Sequence, residues 1–398
     1  MEVFARIMAD LNAEGSGFKF HPKCLKLRLT HLCFADDLLI SVEASLRSIH
    51  TIKAALSEFE DLSGLKANPS KSSFFCYGVS DRVKQLLLDE LKMNAGILPV
   101  RYLGVPLIST RLSAADCGVF LDKITGHIDS WLSRNLSYAG RLQLLSSVLY
   151  SLQVYWTGIF ILPKSIIKAI EQKFNWLLWN GKSIGSAKAK VSWKDVCYPK
   201  REGGLGLKSL EVWNQTSMLR HVWSLFARSG SIWVAWSVGI PQYCYWSWRK
   251  ILELRDVAKR FLKFEVGNGQ IFICGWILGT LLVFFWRLLV IGGVYDAQSS
   301  VEAKLSFVIL NGDWFWKPAR SEALVEIQAR LPDVRLGLHD KAIWTASKKG
   351  CYVSSETWQI LRKKKVEIDW WKLVWFPLAI PQKAFILWLV MQDRLLTG

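Results

Sequence analysis

Downstream of Leu46, the apolar residues Ile49, Ile52, Leu56, Phe59 and Leu62 recur at three- and four-residue intervals. That spacing predicts an amphipathic helix, and Gly64 stands where a left-handed C-cap would close it. Just upstream the period changes. Leu25, Leu27 and Leu29 alternate with Lys26, Arg28 and Thr30, the period of two of a half-buried strand, and Leu38, Leu39, Ile40 and Val42 make a second apolar strand. Phe34-Ala35-Asp36-Asp37 lies between them, so the pattern predicts a β-hairpin with two adjacent carboxylates at its crest. Residues 1–13 read as the end of a helix, Gly15-Ser16-Gly17 as the turn into the hairpin, and Phe74-Phe75-Cys76-Tyr77 as a short strand. Leu142 to Leu152 and Ser165 to Leu178 are helical by period, with Pro163 close to a helix start. Beyond Gly206 the chain is Trp-rich and helical, including Trp213, Trp223, Trp233, Trp236, Trp246 and Trp248, with no fixed repeat. The class is α+β.

Charge narrows the partners. Lys plus Arg number 51 against 33 Asp plus Glu, a formal charge of +18, which favours a polyanion because each neutralised phosphate releases condensed counterions. An anionic membrane surface would satisfy the same charge. The 21 Trp residues offer faces that stack on bases or pack in cores. At 398 residues, two or three domains are expected. The eight cysteines are widely spaced and contain no Cys-x-x-Cys pair, so neither a zinc knuckle nor a compact disulfide framework is indicated, and a reducing intracellular compartment is the default. The N-terminus carries Glu2 and lacks a continuous apolar core, unlike a secretory signal. From Ile271 to Gly293 nearly every residue is apolar and Arg287 is the only charge, long enough to cross a bilayer of about 30 Å. Degraded or frame-shifted sequence explains this run best, then a buried core segment, then a membrane span.

Two carboxylates at a rigid tip repel each other unless a divalent cation neutralises them, as at sites that hold Mg²⁺ beside a triphosphate. A solvated Asp-Asp turn is the plain alternative. The surrounding motifs favour the former. His31-Leu32-Cys33-Phe34-Ala35-Asp36-Asp37-Leu38-Leu39 resembles the F/Y-A-D-D metal-binding hairpin in the reverse transcriptase of non-LTR (LINE-type) retrotransposons, especially those abundant in plant genomes. Gly64-Leu65-Lys66-Ala67-Asn68-Pro69-Ser70-Lys71-Ser72 resembles that family's next palm motif, and Arg101-Tyr102-Leu103-Gly104-Val105-Pro106-Leu107 its primer-grip element. Leu136-Ser137-Tyr138-Ala139-Gly140-Arg141, the stretch from Phe174 to Gly181 and Cys197-Tyr198-Pro199-Lys200-Arg201-Glu202-Gly203-Gly204-Leu205-Gly206 are similar to segments downstream of the polymerase core. From about Asp340, with Trp344, Trp358, Trp371 to Trp375 and Pro381 to Trp388, the chain resembles the opening of the so-called zinc-binding domain that follows these enzymes.

The resemblance implies a partial polymerase palm over 1–110, a helical thumb over 111–215, a Trp-rich connecting region over 216–339 and the start of the zinc-binding domain over 340–398. Asp36 and Asp37 would hold Mg²⁺ or Mn²⁺, and Lys71 would approach the incoming triphosphate or protonate the pyrophosphate. Tyr102 and Gly104 would support a primer terminus, and Arg141 would contact nucleic acid. For Lys71 a solvated lysine, and for Gly104 a plain β-turn, explain the residue equally well. RNA template, DNA primer and deoxynucleoside triphosphates are the implied partners, and the nucleus the implied compartment. Zinc is not expected: the family's Cys and His ligands lie past the point this chain reaches. A third carboxylate on an earlier palm strand completes the family's metal cage. Here only Glu2, Asp10 and Glu14 precede the hairpin, so the chain is expected to resemble a portion of the enzyme that is inactive by itself. A non-catalytic nucleic-acid-binding remnant and a decayed reading frame are the alternatives. Among smaller features, Arg362-Lys363-Lys364-Lys365 reads as a solvated helix face before a phosphate contact, His31 as strand packing, and Gly203-Gly204-Leu205-Gly206 as a turn.

Overall fold

Helix α1 (Glu2–Ala13), strands β1 (His31–Phe34) and β2 (Asp37–Ile40), and helix α2 (Leu46–Ser63) open the chain in a computed structural model. It describes residues 2–13, 18–132, 135–180, 189–228, 245–269, 306, 309–310, 313–315, 325 and 336–395. Two units are present, 1–108 and 109–398, and the whole is α+β. In α2 the predicted Ile49, Ile52 and Phe59 are buried and the predicted Leu56 partly so; with Ala55 they pack with Phe4, Ile7 and Met8 of α1. Ser45 caps its start by accepting from Ser48 N, and Gly64 closes it at φ 70°, its N–H on the Glu60 carbonyl at 2.8 Å. Leu62, in the last turn, points to solvent.

The hairpin forms, but its first strand is not where the alternation puts it. Leu25–Leu27 is a 3₁₀ turn with Leu25 and Leu27 exposed, closed by Arg28 in the left-handed region. The Cys24 carbonyl accepts the amides of both Leu27 and Leu29 at 3.2 Å, so those donors close a turn and none is left for a ladder. Pairing starts at His31, opposite Ile40, and ends at Phe34 opposite Asp37. Strand β3 (Ser73–Phe74), helix α3 (Asp81–Leu91) and strand β4 (Asn94–Ala95) then make a parallel crossover, shorter in its first strand than the predicted Phe74–Tyr77. Strands β5 (Arg101–Tyr102) and β6 (Val105–Pro106) form a second tight hairpin.

The second unit begins with α4 (Gly118–Leu132). Helices α5 (Tyr138–Leu144) and α6 (Tyr150–Thr157) are joined through a π-helical turn at Leu145–Leu149, and α7 (Lys164–Trp179) starts after Pro163 as the sequence predicts. After the short α8 (Trp193–Val196) comes α9 (Leu210–Arg228), then α10 (Trp246–Glu253), α11 (Arg255–Ala258) and β7 (Leu262–Glu265). Asn214 of α9 is buried and ties three carbonyl or amide groups of the 157–162 corner: it donates to Thr157 O and Phe160 O and accepts from Leu162 N. Two dipeptide strands, β8 (Ile309–Leu310) and β9 (Asp313–Trp314), pair with each other. Strand β10 (Lys341–Trp344) lies antiparallel to β7. Its Trp344 is fully buried among Met218, Leu219, Val222, Leu254 and Phe261, and its Nε1 donates to Thr357. Gly267 and Gly269 both donate to the Asp340 carboxylate, at 2.7 and 2.9 Å, which fastens that glycine turn. Helices α12 (Ser354–Leu361), α13 (Trp371–Val374) and α14 (Pro381–Met391) complete the unit. The apolar run from Ile271 to Gly293, with Trp233 and Trp236, lies outside the described residues. Among the described residues no helix is long and apolar enough to cross a membrane.

Candidate functional site

Asp36 and Asp37 stand at the tip of the first hairpin, both exposed. Because Phe34 pairs with Asp37, the loop holds only Ala35 and Asp36, and Ala35 takes φ 51°, a conformation an alanine adopts at a cost of about 1–2 kcal/mol. The tip is therefore fixed by the ladder on either side of it. His31, at the other end of β1, packs edge-on to Phe4 at 5.1 Å, and burial lowers its pKa, in keeping with a packing role. Oxygen donors of this kind suit Mg²⁺ or Mn²⁺, and two of them leave most of a coordination sphere to other ligands. Among the described residues no group of three or more His, Cys, Asp and Glu side chains converges on a point that could hold a metal ion.

Lys71 ends a 3₁₀ turn, Pro69–Lys71, whose start is organised by Asn68: its Oδ1 accepts from Ser70 N at 3.0 Å and from Lys71 N at 3.3 Å. The lysine itself is exposed. Tyr102 is the last residue of β5, opposite Val105, and Leu103-Gly104 form the loop with φ 53° and 77°. Two positive values in a two-residue loop are the mark of a type I′ turn, which Gly104 suits and Leu103 strains. These residues share the first unit with the acidic tip.

Arg141 belongs to the second unit and is held inside it. Its Nη1 donates to Leu178 O at 3.2 Å, its guanidinium lies 5.1 Å from the Tyr138 ring, and burial lowers its pKa. It thereby ties α5 to the end of α7.

Sequence reasoning missed a dense polar arrangement among the described residues. The turn Cys197–Gly206 grips the segment that follows α12. Glu202, only 8% exposed at its side chain, accepts both terminal nitrogens of Arg362 at 2.5 and 2.7 Å and the Lys365 amide at 2.8 Å. Arg362 lowers the Glu202 pKa accordingly. Gly203 O accepts from Trp388 Nε1 at 2.8 Å and Gln392 Nε2 at 2.9 Å, and Arg201 O from Ile368 N at 2.9 Å. A Cβ on Gly204 would lie 2.0 Å from Tyr198 O, so only glycine fits. Asp195 pairs with Lys365 at 2.6 Å. Cations then alternate with indoles: Lys200 lies 4.3 Å from the Trp375 ring centroid and Arg201 5.2 Å from that of Trp371. The four-residue basic run is thus not a solvated helix face. Helix α12 ends at Leu361, Arg362 is buried in an ion pair, and Lys365 is half exposed against Asp195. Adjacent family-like segments in the sequence hinted at both partners, but their pairing across 160 residues carries no local signal.

Residues 352–398 match the family described as zinc-binding in reverse transcriptase. Over 319 residues the chain is 25% identical to a putative ribonuclease H protein of Arabidopsis thaliana, covering 74% of this chain and 51% of that relative. The chain thus spans about half the length of the curated relative it matches. These likenesses point to a reverse-transcriptase-related protein. The family's description names zinc, yet residues 352–398 contain neither Cys nor His. Their only acids, Glu356, Glu367, Asp369 and Asp393, are hard oxygen donors, a set that does not fit a structural zinc site.

Proposed function

We propose that the chain serves RNA-templated DNA synthesis as part of a non-LTR retrotransposon reverse transcriptase, with RNA template, DNA primer and deoxynucleoside triphosphates as partners. The observation that carries the reading is the rigid two-residue hairpin loop that presents Asp36 and Asp37 together, in a chain whose residues 352–398 match a reverse-transcriptase family. Mg²⁺ or Mn²⁺ held there would neutralise charge on the triphosphate and lower the pKa of the attacking primer hydroxyl. Asp36 and Asp37 supply the oxygen donors, Lys71 a proton or positive charge for the departing pyrophosphate, and the Tyr102–Gly104 hairpin a stiff support for the primer end. Two carboxylates hold a hard cation weakly, and positioning supplies most of the rate in phosphoryl transfer. The 398-residue polypeptide assayed alone is therefore expected to bind RNA–DNA duplex but not to extend it.

Two measurements test the reading. Mn²⁺ titration followed by electron paramagnetic resonance should show weak binding that Asp36→Ala and Asp37→Ala each reduce. Duplex binding should fall steeply between about 50 and 200 mM salt. Mn²⁺ binding unaffected by either substitution, together with no duplex binding at low salt, would overturn it. Template-dependent primer extension lost in Asp36→Ala would instead show that the polypeptide is a complete enzyme and refute only the expected inactivity. A second reading, nucleic-acid binding without chemistry, is favoured by the absence of a third carboxylate beside the pair among the described residues.

A further inference from the structure

The charge of this protein is distributed very unevenly. Residues 1–108 hold 13 Lys and Arg against 12 Asp and Glu, whereas residues 109–398 hold 38 against 21. The unit with the acidic hairpin is nearly neutral, so a polyanion attracted by net charge meets the second unit.

Within that unit one strip combines cations that have no ion-pair partner among the described residues with accessible rings. From Arg362 to Trp375 the chain runs along the Tyr198–Glu202 turn: Arg362 and Lys365 contact Glu202, Ile368 bonds Arg201, Trp371 faces Arg201 and Trp375 faces Lys200. Two carboxylates that meet the basic run are already engaged, Glu202 by Arg362 and Asp195 by Lys365. Lys363, Lys364, Lys372, Lys200 and Arg201 are exposed, and none has a carboxylate within salt-bridge distance among the described residues. Glu367 and Asp369 lie in the same stretch and leave it net positive. Lys372 shares the Trp371 ring at 5.8 Å, and Phe376, just past α13, is 54% exposed.

We infer that this strip binds single-stranded nucleic acid, its phosphates on Lys363, Lys372 and Arg201 and a base stacked on Phe376. Cations spaced among aromatic faces suit a strand whose bases are unpaired, because a duplex hides base faces and leaves an exposed ring without a partner. The inference rests on the reading above only for the class of ligand; the location comes from the strip itself. It deepens that reading by assigning single-strand contact to residues of the second unit.

The test uses the full chain and a fluorescein-labelled oligothymidylate, followed by anisotropy between about 50 and 200 mM salt. Lys363→Glu with Lys372→Glu should weaken binding about tenfold and reduce the log–log salt slope by about 1.4, roughly 0.7 for each phosphate no longer neutralised. Lys123→Glu with Lys168→Glu, two exposed lysines on α4 and α7, makes the same change in net charge and should stay within about twofold of the parent. The milder pair Lys363→Gln with Lys372→Gln should lose about half the effect, which guards against misfolding. Phe376→Ala should cost about fivefold on the single strand and nothing on a duplex of the same length. Equal losses in the two charge-reversed pairs, or none in either, would overturn the inference while leaving general nucleic-acid binding intact. No binding by the parent at low salt would remove the reading above as well. Phosphatidylserine vesicles, rather than oligonucleotide, released by the Lys363/Lys372 reversal would assign the strip to a membrane surface and overturn the inference.

Discussion

Replacing Arg362 by Met would strand the Glu202 carboxylate in the turn that holds the last helices. The two side chains are 10% and 8% exposed and are joined by two hydrogen bonds of 2.5 and 2.7 Å. Removing one member of a buried pair leaves the other uncompensated and costs about 3–5 kcal/mol, more than the roughly 0–1 kcal/mol of an exposed pair. For a unit of this size that is about 6–10 °C in Tm. Every tryptophan lies between Trp131 and Trp388, so indole emission reports the second unit and is blind to the first. Denaturant unfolding followed by that emission should show the full loss for Arg362→Met. The double replacement Arg362→Met with Glu202→Leu should recover most of it, since both charges are then gone. A single-mutant loss under about 1 kcal/mol, or a double mutant no better than Arg362→Met, would refute the view that the charge itself is what is costly. The pH dependence has a definite sign. Arg362 holds the Glu202 pKa below its unfolded value, so this stabilisation is complete above the ordinary carboxylate range and is lost as pH falls through the lowered native value.

Gly204→Ala should destabilise the second unit by about 3 kcal/mol or more in the same unfolding measurement, because the new methyl would meet backbone that cannot move aside. Leu103→Asn should stabilise the first unit by about 0.5–1 kcal/mol, since asparagine tolerates φ 53° in the tight hairpin; far-UV circular dichroism during thermal unfolding reads the change, and a loss would refute the turn assignment. Glu171 has its pKa raised by burial while it accepts from Leu210 N at the start of α9, so its share of stability is present at low pH and falls as pH rises from the ordinary value through the raised one. Glu171→Gln keeps the acceptor and removes that slope, and should raise Tm at pH 8 more than at pH 5.

Periodicity alone places α2 and α7, because each buries one continuous stripe and each has a recognisable boundary, Gly64 for the first and Pro163 for the second. It misplaces the first hairpin strand because Leu25 and Leu27 satisfy the alternation while facing solvent; the deciding event, capture of two amides by one carbonyl, leaves no trace in hydropathy. The turn at Asp36 is legible from the apolar strand Leu38–Val42 that follows it, and Gly104 reads as a β-turn, though alanine and leucine at positive φ are not residues a turn rule would choose. The dock is illegible for a different reason. A glutamate after two cations and a basic run near the end of the chain each look like solvated charge until the fold brings them within bonding distance and excludes water.

The turn around Gly203 also bears on how such a chain can be inherited and recombined. The segment recognisable as a family begins at Tyr352, yet the hydroxyl of that tyrosine donates to Thr216 O, Trp388 donates to Gly203 O, and Arg362 is neutralised by Glu202. The smallest piece that could be exchanged between relatives without breaking these bonds therefore reaches back to Glu202. Recombination at the family boundary would sever the tail from its anchorage, and drift at Glu202 or Gly204 would have to be matched far downstream. The heritable module is longer than the stretch that sequence similarity marks out.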